Sequence, residues 1–123
     1  MTTEGLRPGQ EAELEVEVTR EMTVNRMGRE GAEVLSTPAL LGLMEQCSIK
    51  ASDPYLPEGY TTVGYAVDGL RHLAPTPLGG RVRVRAVLTE VDRNRLTYAI
   101  EAYEGEKKIG VATHKRAVIP VTG

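Results

Sequence analysis

Two stretches of opposite charge, each alternating strictly with apolar residues, restrict the fold of this chain more than any other feature. Residues 11–19, EAELEVEVT, place Ala12, Leu14, Val16 and Val18 on one face of an extended chain and Glu11, Glu13, Glu15 and Glu17 on the other. A period of two is the mark of a half-buried strand. Residues 81–91, RVRVRAVLTEV, set Val82, Val84, Ala86 and Leu88 against Arg81, Arg83 and Arg85. Arginines at that period could meet phosphates. The simpler account is that the two strands pair, so that opposite charges face each other across the ladder, each pair contributing about 0.2–1 kcal/mol.

Between them lies one convincing helix, in STPALLGLMEQCSIKASDP. Pro38 fits the first helical position and Thr37 the N-cap, and the SDP sequence ends the helix near residue 52. Projected at 100° per residue, Leu40, Leu41, Met44, Ser48, Ile49 and Ala51 share a broad arc, with Ala39, Gln46 and Lys50 opposite. Residues 20–36 read as a connecting loop. Further strands are expected at 61–73, with Gly69 as a bulge, and at 95–103 and 108–120, after the turns DRN and EGEK. The order is β–α–β–β–β–β: an antiparallel meander that buries the apolar face of one helix.

The 123 residues form one domain, 1–123, small enough that a partner chain would help bury surface. A formal net charge of -2 gives no broad footprint for nucleic acid or an anionic membrane. The chain has no Phe and no Trp, which removes the stacking platforms of single-strand binders. No apolar run approaches the ~20 residues of a membrane helix. The lone Cys47 and the absence of a basic-then-apolar leader set the expectation of a cytoplasmic protein. Two histidines and one cysteine without short ligand spacing give no metal site, and Cys47, within the helix, reads as a buried thiol.

Glu45 is the anomaly. It projects about 40° from Leu41, inside the apolar arc, and a carboxylate drawn out of water requires a partner or a function. His72 stands at the end of a strand-like run, just before APTP, which forces the backbone out of the sheet. By themselves Thr37 reads as a cap, His72 as a hydrogen-bonded histidine, and His114 and Arg116 as the charged exterior of the last strand.

Taken together, STPALLGLMEQCSIKA, EGYTTVG, RHLAPTPLGGRVRVRAVLTEV and EKKIGVATHKRAVI resemble the hotdog-fold acyl-CoA thioesterases, in the fluoroacetyl-CoA thioesterase-like branch. The resemblance runs in order from about residue 8 and implies an α+β hotdog fold. Its five-stranded antiparallel sheet, order 1-3-4-5-2, wraps around the helix. By position, Thr37, Glu45 and His72 match the catalytic trio, Gly64 the glycine that binds the thioester, and Arg116 a site arginine. The implied reaction is hydrolysis of an acyl-CoA thioester, with Glu45 as base or nucleophile, made more reactive by apolar surroundings. His72 would orient Thr37 or Glu45. No cofactor is implied beyond the coenzyme A of the substrate, and the implied assembly is a homodimer or dimer of dimers with the site at the interface. The fluoroacetyl-specific enzyme lids its pocket with Phe; here the matching loop offers Met27, Val34 and Leu35, so hydrolysis without fluoroacetyl selectivity is expected. A non-catalytic acyl-CoA-binding protein of the same fold, an enoyl-thioester hydratase and a purely structural role are the alternatives. The first and last leave Glu45 without a purpose, and the hydratase's Asp/His entry motif is missing from the helix.

Overall fold

The computed structural model describes residues 3–25 and 31–121. Strand β1 (Glu11–Glu17) precedes helix α1 (Thr37–Ser52), and then come β2 (Tyr60–His72), β3 (Arg81–Asp92), β4 (Arg95–Glu104) and β5 (Lys107–Pro120). The strands form one antiparallel sheet in the order β1-β3-β4-β5-β2. Every predicted strand is present, and its bounds differ by one or two residues.

The charge ladder forms as its period requires. β1 and β3 pair with Glu13 opposite Arg85 and Glu15 opposite Arg83. Strand twist carries the ion pairs onto the diagonal: Arg81 reaches Glu15 at 3.5 Å, Arg83 reaches Glu13 at 3.1 Å and Arg85 reaches Glu11 at 2.6 Å. With the charges on the outer face, Val82, Val84, Ala86 and Leu88 are fully buried against the helix.

The helix covers the inner face of the sheet with Leu40, Leu43, Met44, Cys47, Ser48 and Ala51, all buried. The projected arc is therefore rotated: Leu43 and Cys47 join the core, whereas Leu41 and Ile49 lie at its half-exposed margin. The shift follows from where the helix docks: α1 packs over β1 and β3 and leaves the Leu41–Glu45–Ile49 flank toward β2 and β5. The Cys47 thiol is buried as expected and donates to the carbonyls of Ala12 and Val84; burial pushes its pKa up.

Ser36, not Thr37, is the N-cap: its hydroxyl accepts from the amide of Ala39 at 3.2 Å, and the helix begins at Thr37. The cap stands one residue earlier than the sequence reading placed it, which leaves the Thr37 hydroxyl unused by the backbone.

β2 lies at the free edge of the sheet and is irregular. Its pairing with β5 shifts between Gly64 and Ala66 and again between Asp68 and Arg71. Gly69, with φ of 60°, sits in the second irregularity, in the left-handed region that glycine tolerates.

Candidate active site

Two polar groups flank the helix. The first is at its N-terminus. The end of β2 brings His72 Nδ1 to 2.9 Å from Thr37 Oγ1, and Nε2 of the same ring is buried with no hydrogen-bond partner among the described residues. Burial pushes the His72 pKa down, favouring the neutral ring. The pair opens into a cleft of about 340 Å³ whose walls include Val34, Leu35, Leu73 and Pro75. Of the three residues expected over the pocket, Val34 and Leu35 are in that wall, and Met27 lies outside the described residues. Another cleft, on the outer face around Asp68 and Gly69, contains none of these side chains.

The second group surrounds Glu45. Its Oε2 is 3.7 Å from Arg116 Nη1 and 3.9 Å from His114 Nε2. The side chain is 44% exposed, and its polar neighbours are a guanidinium and an imidazole. The apolar surroundings expected for it are thus not found, because the helix arc is rotated away from this flank. His114 and Arg116, read from the sequence as charged exterior, are only 2% and 5% exposed. They share the inner face of β5 with Ala112 and Val118, and that phase was the signal available in the sequence.

Arg116 is held from three sides. Nε donates to Thr62 Oγ1 at 2.8 Å, Nη2 to the Thr62 carbonyl at 2.9 Å, and Nη1 lies 3.2 Å from His114 Nε2. Thr62 in turn donates to Asp53 Oδ1 at 2.8 Å, and Asp53 is tied to Ser52, whose hydroxyl meets the Tyr98 phenol at 2.7 Å. Burial pushes Tyr98 up to about 12, so the phenol stays neutral. This network meets the requirement that a buried cation have its donors satisfied.

Gly64 lies against this cluster, opposite Arg116 in the ladder. A Cβ there would stand 2.9 Å from His114 Cε1, 3.2 Å from Arg116 Nη1 and 3.3 Å from Glu45 Oε2. The five predicted residues therefore gather in two places: Thr37 with His72, and Glu45 with Gly64 and Arg116. His72 is brought to Thr37, and among the described residues no hydrogen bond joins it to Glu45. The helix itself separates the groups, since eight residues from Thr37 to Glu45 correspond to a rise of about 12 Å.

The half-buried His72 and the buried His114 predict how stability depends on pH. Burial pushes His114 down, as it does His72, although the Ala66 carbonyl and Glu45 oppose the shift. An unfolded histidine takes up its proton near 6.5, so below that pH the unfolded chain binds more protons and stability is lost as pH falls. Denaturant midpoints are expected to be flat above about pH 7 and to fall from about pH 6.5 downward. A midpoint that rises on acidification from 7 to 5.5 would contradict this assignment.

A family model described as fluoroacetyl-CoA-specific thioesterase matches residues 18–122. A fluoroacetyl-CoA thioesterase from Streptantibioticus cattleyicolor is 41% identical over 87 residues, which is 71% of this chain and 62% of that protein's length. Among solved structures, the fluoroacetyl-CoA thioesterase FlK superposes with a TM-score of 0.85 at 35% identity, covering 96% of this chain and 91% of its own. A thioesterase superfamily member from Thermus thermophilus gives 0.84 at 36% identity, covering 94% and 85%. A hot-dog-like protein from Thermanaerovibrio acidaminovorans gives 0.86 at 26% identity, covering 96% and 87%.

Proposed function

Since the chain belongs to the fluoroacetyl-CoA-specific thioesterase family, we propose that it hydrolyses acyl-CoA thioesters at a site shared between two copies. The observation that carries the reading is the pairing of two half-sites on one helix: a Thr37–His72 hydrogen bond at its start and a carboxylate facing a clamped arginine two turns on. In one chain they are about 12 Å apart along the axis. A two-fold axis across antiparallel copies of α1 brings Thr37 and His72 of one copy toward Glu45, Gly64 and Arg116 of the other.

The sheet edges support this dimer. β1 carries four glutamates, whereas β2 from Tyr60 to Val67 has no charged side chain. Tyr60, Val63 and Tyr65 there are exposed at 37%, 42% and 46%. A long uncharged edge invites pairing with another strand, and a second copy of β2 supplies one.

In the reaction, the thioester carbonyl lies against Gly64, where the lack of a side chain allows close approach. Glu45 attacks the carbonyl carbon or takes a proton from the water that does. The positive end of α1 and the Arg116 guanidinium stabilise the oxyanion. Thr37 donates to His72 Nδ1, so the ring proton is on Nε2, where it hydrogen-bonds the departing sulfur. In the base route the C–S bond breaks and the proton taken from water passes from Glu45 to the thiolate. In the nucleophilic route the C–S bond breaks to leave a mixed anhydride on Glu45, and the water that hydrolyses it gives its proton to the thiolate and frees the carboxylate. Either way the acid and coenzyme A leave. The reading needs no cofactor besides the coenzyme A that the substrate carries, and it places the protein in the cytoplasm, where acyl-CoA is available.

The test is thiol release from acetyl-, butyryl-, octanoyl-, phenylacetyl- and fluoroacetyl-CoA. At least one is expected to be hydrolysed. Because the chain has no Phe to lid the pocket, fluoroacetyl-CoA is expected within about tenfold of acetyl-CoA, the range in which one small group is discriminated. Release from none of them would remove the enzymatic reading, and a strong fluoroacetyl preference would remove the selectivity argument.

A further inference from the structure

His114 has no role in the reaction described above, yet it is the most enclosed polar side chain beside Glu45. Its position on the inner face of β5 is held by Ala66, Arg116 and Tyr98. Nδ1 is 2.8 Å from the carbonyl of Ala66, which can only accept, so Nδ1 carries the proton. Nε2 therefore presents a lone pair, and the Arg116 Nη1 donor stands 3.2 Å from it. The ring stacks on Tyr98 with centroids 6.0 Å apart, and its Cε1 side faces Gly64, where an added Cβ would come within 2.9 Å.

Resting on the hydrolytic reading, we propose that His114 is a positioning residue: its Nε2 accepts from Arg116 and sets the guanidinium at the angle from which Nη1 faces Glu45. Thr62 holds Nε and Nη2, the far side of the same plane. Two fixed points on one side leave the plane free to tilt, and a third on Nη1 removes that freedom. An uncharged acceptor is needed there, because a protonated ring would present N–H to N–H and repel the arginine. Burial keeps the ring neutral, with the Arg116 charge acting in the same direction.

The two ring nitrogens can be tested separately. His114→Gln places an amide oxygen near the position of Nε2 and keeps the acceptor for Arg116. His114→Asn places its amide near Nδ1, keeping the Ala66 bond and losing the acceptor. In an active wild type, the Asn variant is expected to lose about 10–100-fold in kcat, the effect of a reacting group displaced by about 1 Å, with KM nearly unchanged. The Gln variant is expected within about threefold of wild type, although its melting temperature should be no higher than that of the Asn variant. Imidazole 15N resonances of the wild type at pH 7.5 are expected to show the proton on Nδ1. Equal losses in the two variants, no loss in either, or a proton on Nε2 would overturn the positioning role and leave hydrolysis standing. A wild type that releases no thiol from any substrate would overturn both.

Discussion

Replacing Glu45 with alanine is expected to lower kcat for thioester hydrolysis about 10²–10⁴-fold, the range for a lost general base, with the fold intact. The side chain is 44% exposed and its ion pair with Arg116 is 3.7 Å long, so its loss removes about 0–1 kcal/mol of stability at most. Arg116 keeps its two bonds to Thr62 and its contact with His114. The readouts are steady-state thiol release and a thermal melt of the same preparation. A variant that melts near the wild type yet retains full activity would move the catalytic carboxylate elsewhere. Single-turnover hydrolysis in 18O-labelled water tests whether Glu45 attacks directly: label entering its carboxylate marks it as the nucleophile.

Gly64→Ala is the second large effect. The added methyl meets three groups at 2.9–3.3 Å, and two of them cannot yield cheaply. The His114 ring is fixed by Ala66 and Arg116, and Arg116 by Thr62. Overpacking of a fixed neighbourhood costs about 1–3 kcal/mol, and displacing Arg116 or Glu45 by a fraction of an ångström is expected to lower activity by about 10²-fold. The two losses should appear together in Gly64→Ala, whereas Glu45→Ala shows only the second. Gly64→Ala with wild-type stability and turnover would mean that the cluster is looser than its hydrogen bonds indicate.

The fold was legible where the period of the sequence and the burial coincide. β1 and the first half of β3 are read directly because apolar residues alternate with charges there, and their opposite signs also revealed that they are neighbours. The helix was legible in extent but not in rotation, since which flank of an amphipathic arc is covered depends on which strands it docks against. The cap shifted by one residue because Ser36 and Thr37 have the same chemistry and only the backbone selects between them. The site was harder to read. His114 and Arg116 were misjudged by charge although they share the phase of Ala112 and Val118. The interactions that make their burial tolerable come from Thr62, Ala66 and Asp53, residues far away in sequence. No local pattern carries that information. The same distance hid the surroundings of Glu45, whose position in the apolar arc was visible and whose polar neighbours were not.

The central claim, a hydrolytic site built from two copies, is tested most directly by mixing variants. Thr37→Ala and Glu45→Ala proteins are prepared separately, unfolded together in equal amounts and refolded, and thiol release is measured. Random pairing makes half of the dimers mixed, and a mixed dimer regains one intact site of two. The account therefore predicts that two nearly inactive proteins recover about a quarter of wild-type activity. If the site lay within one chain, every site in the mixture would still lack one residue. No recovery from a mixture shown to contain mixed dimers would contradict the shared site.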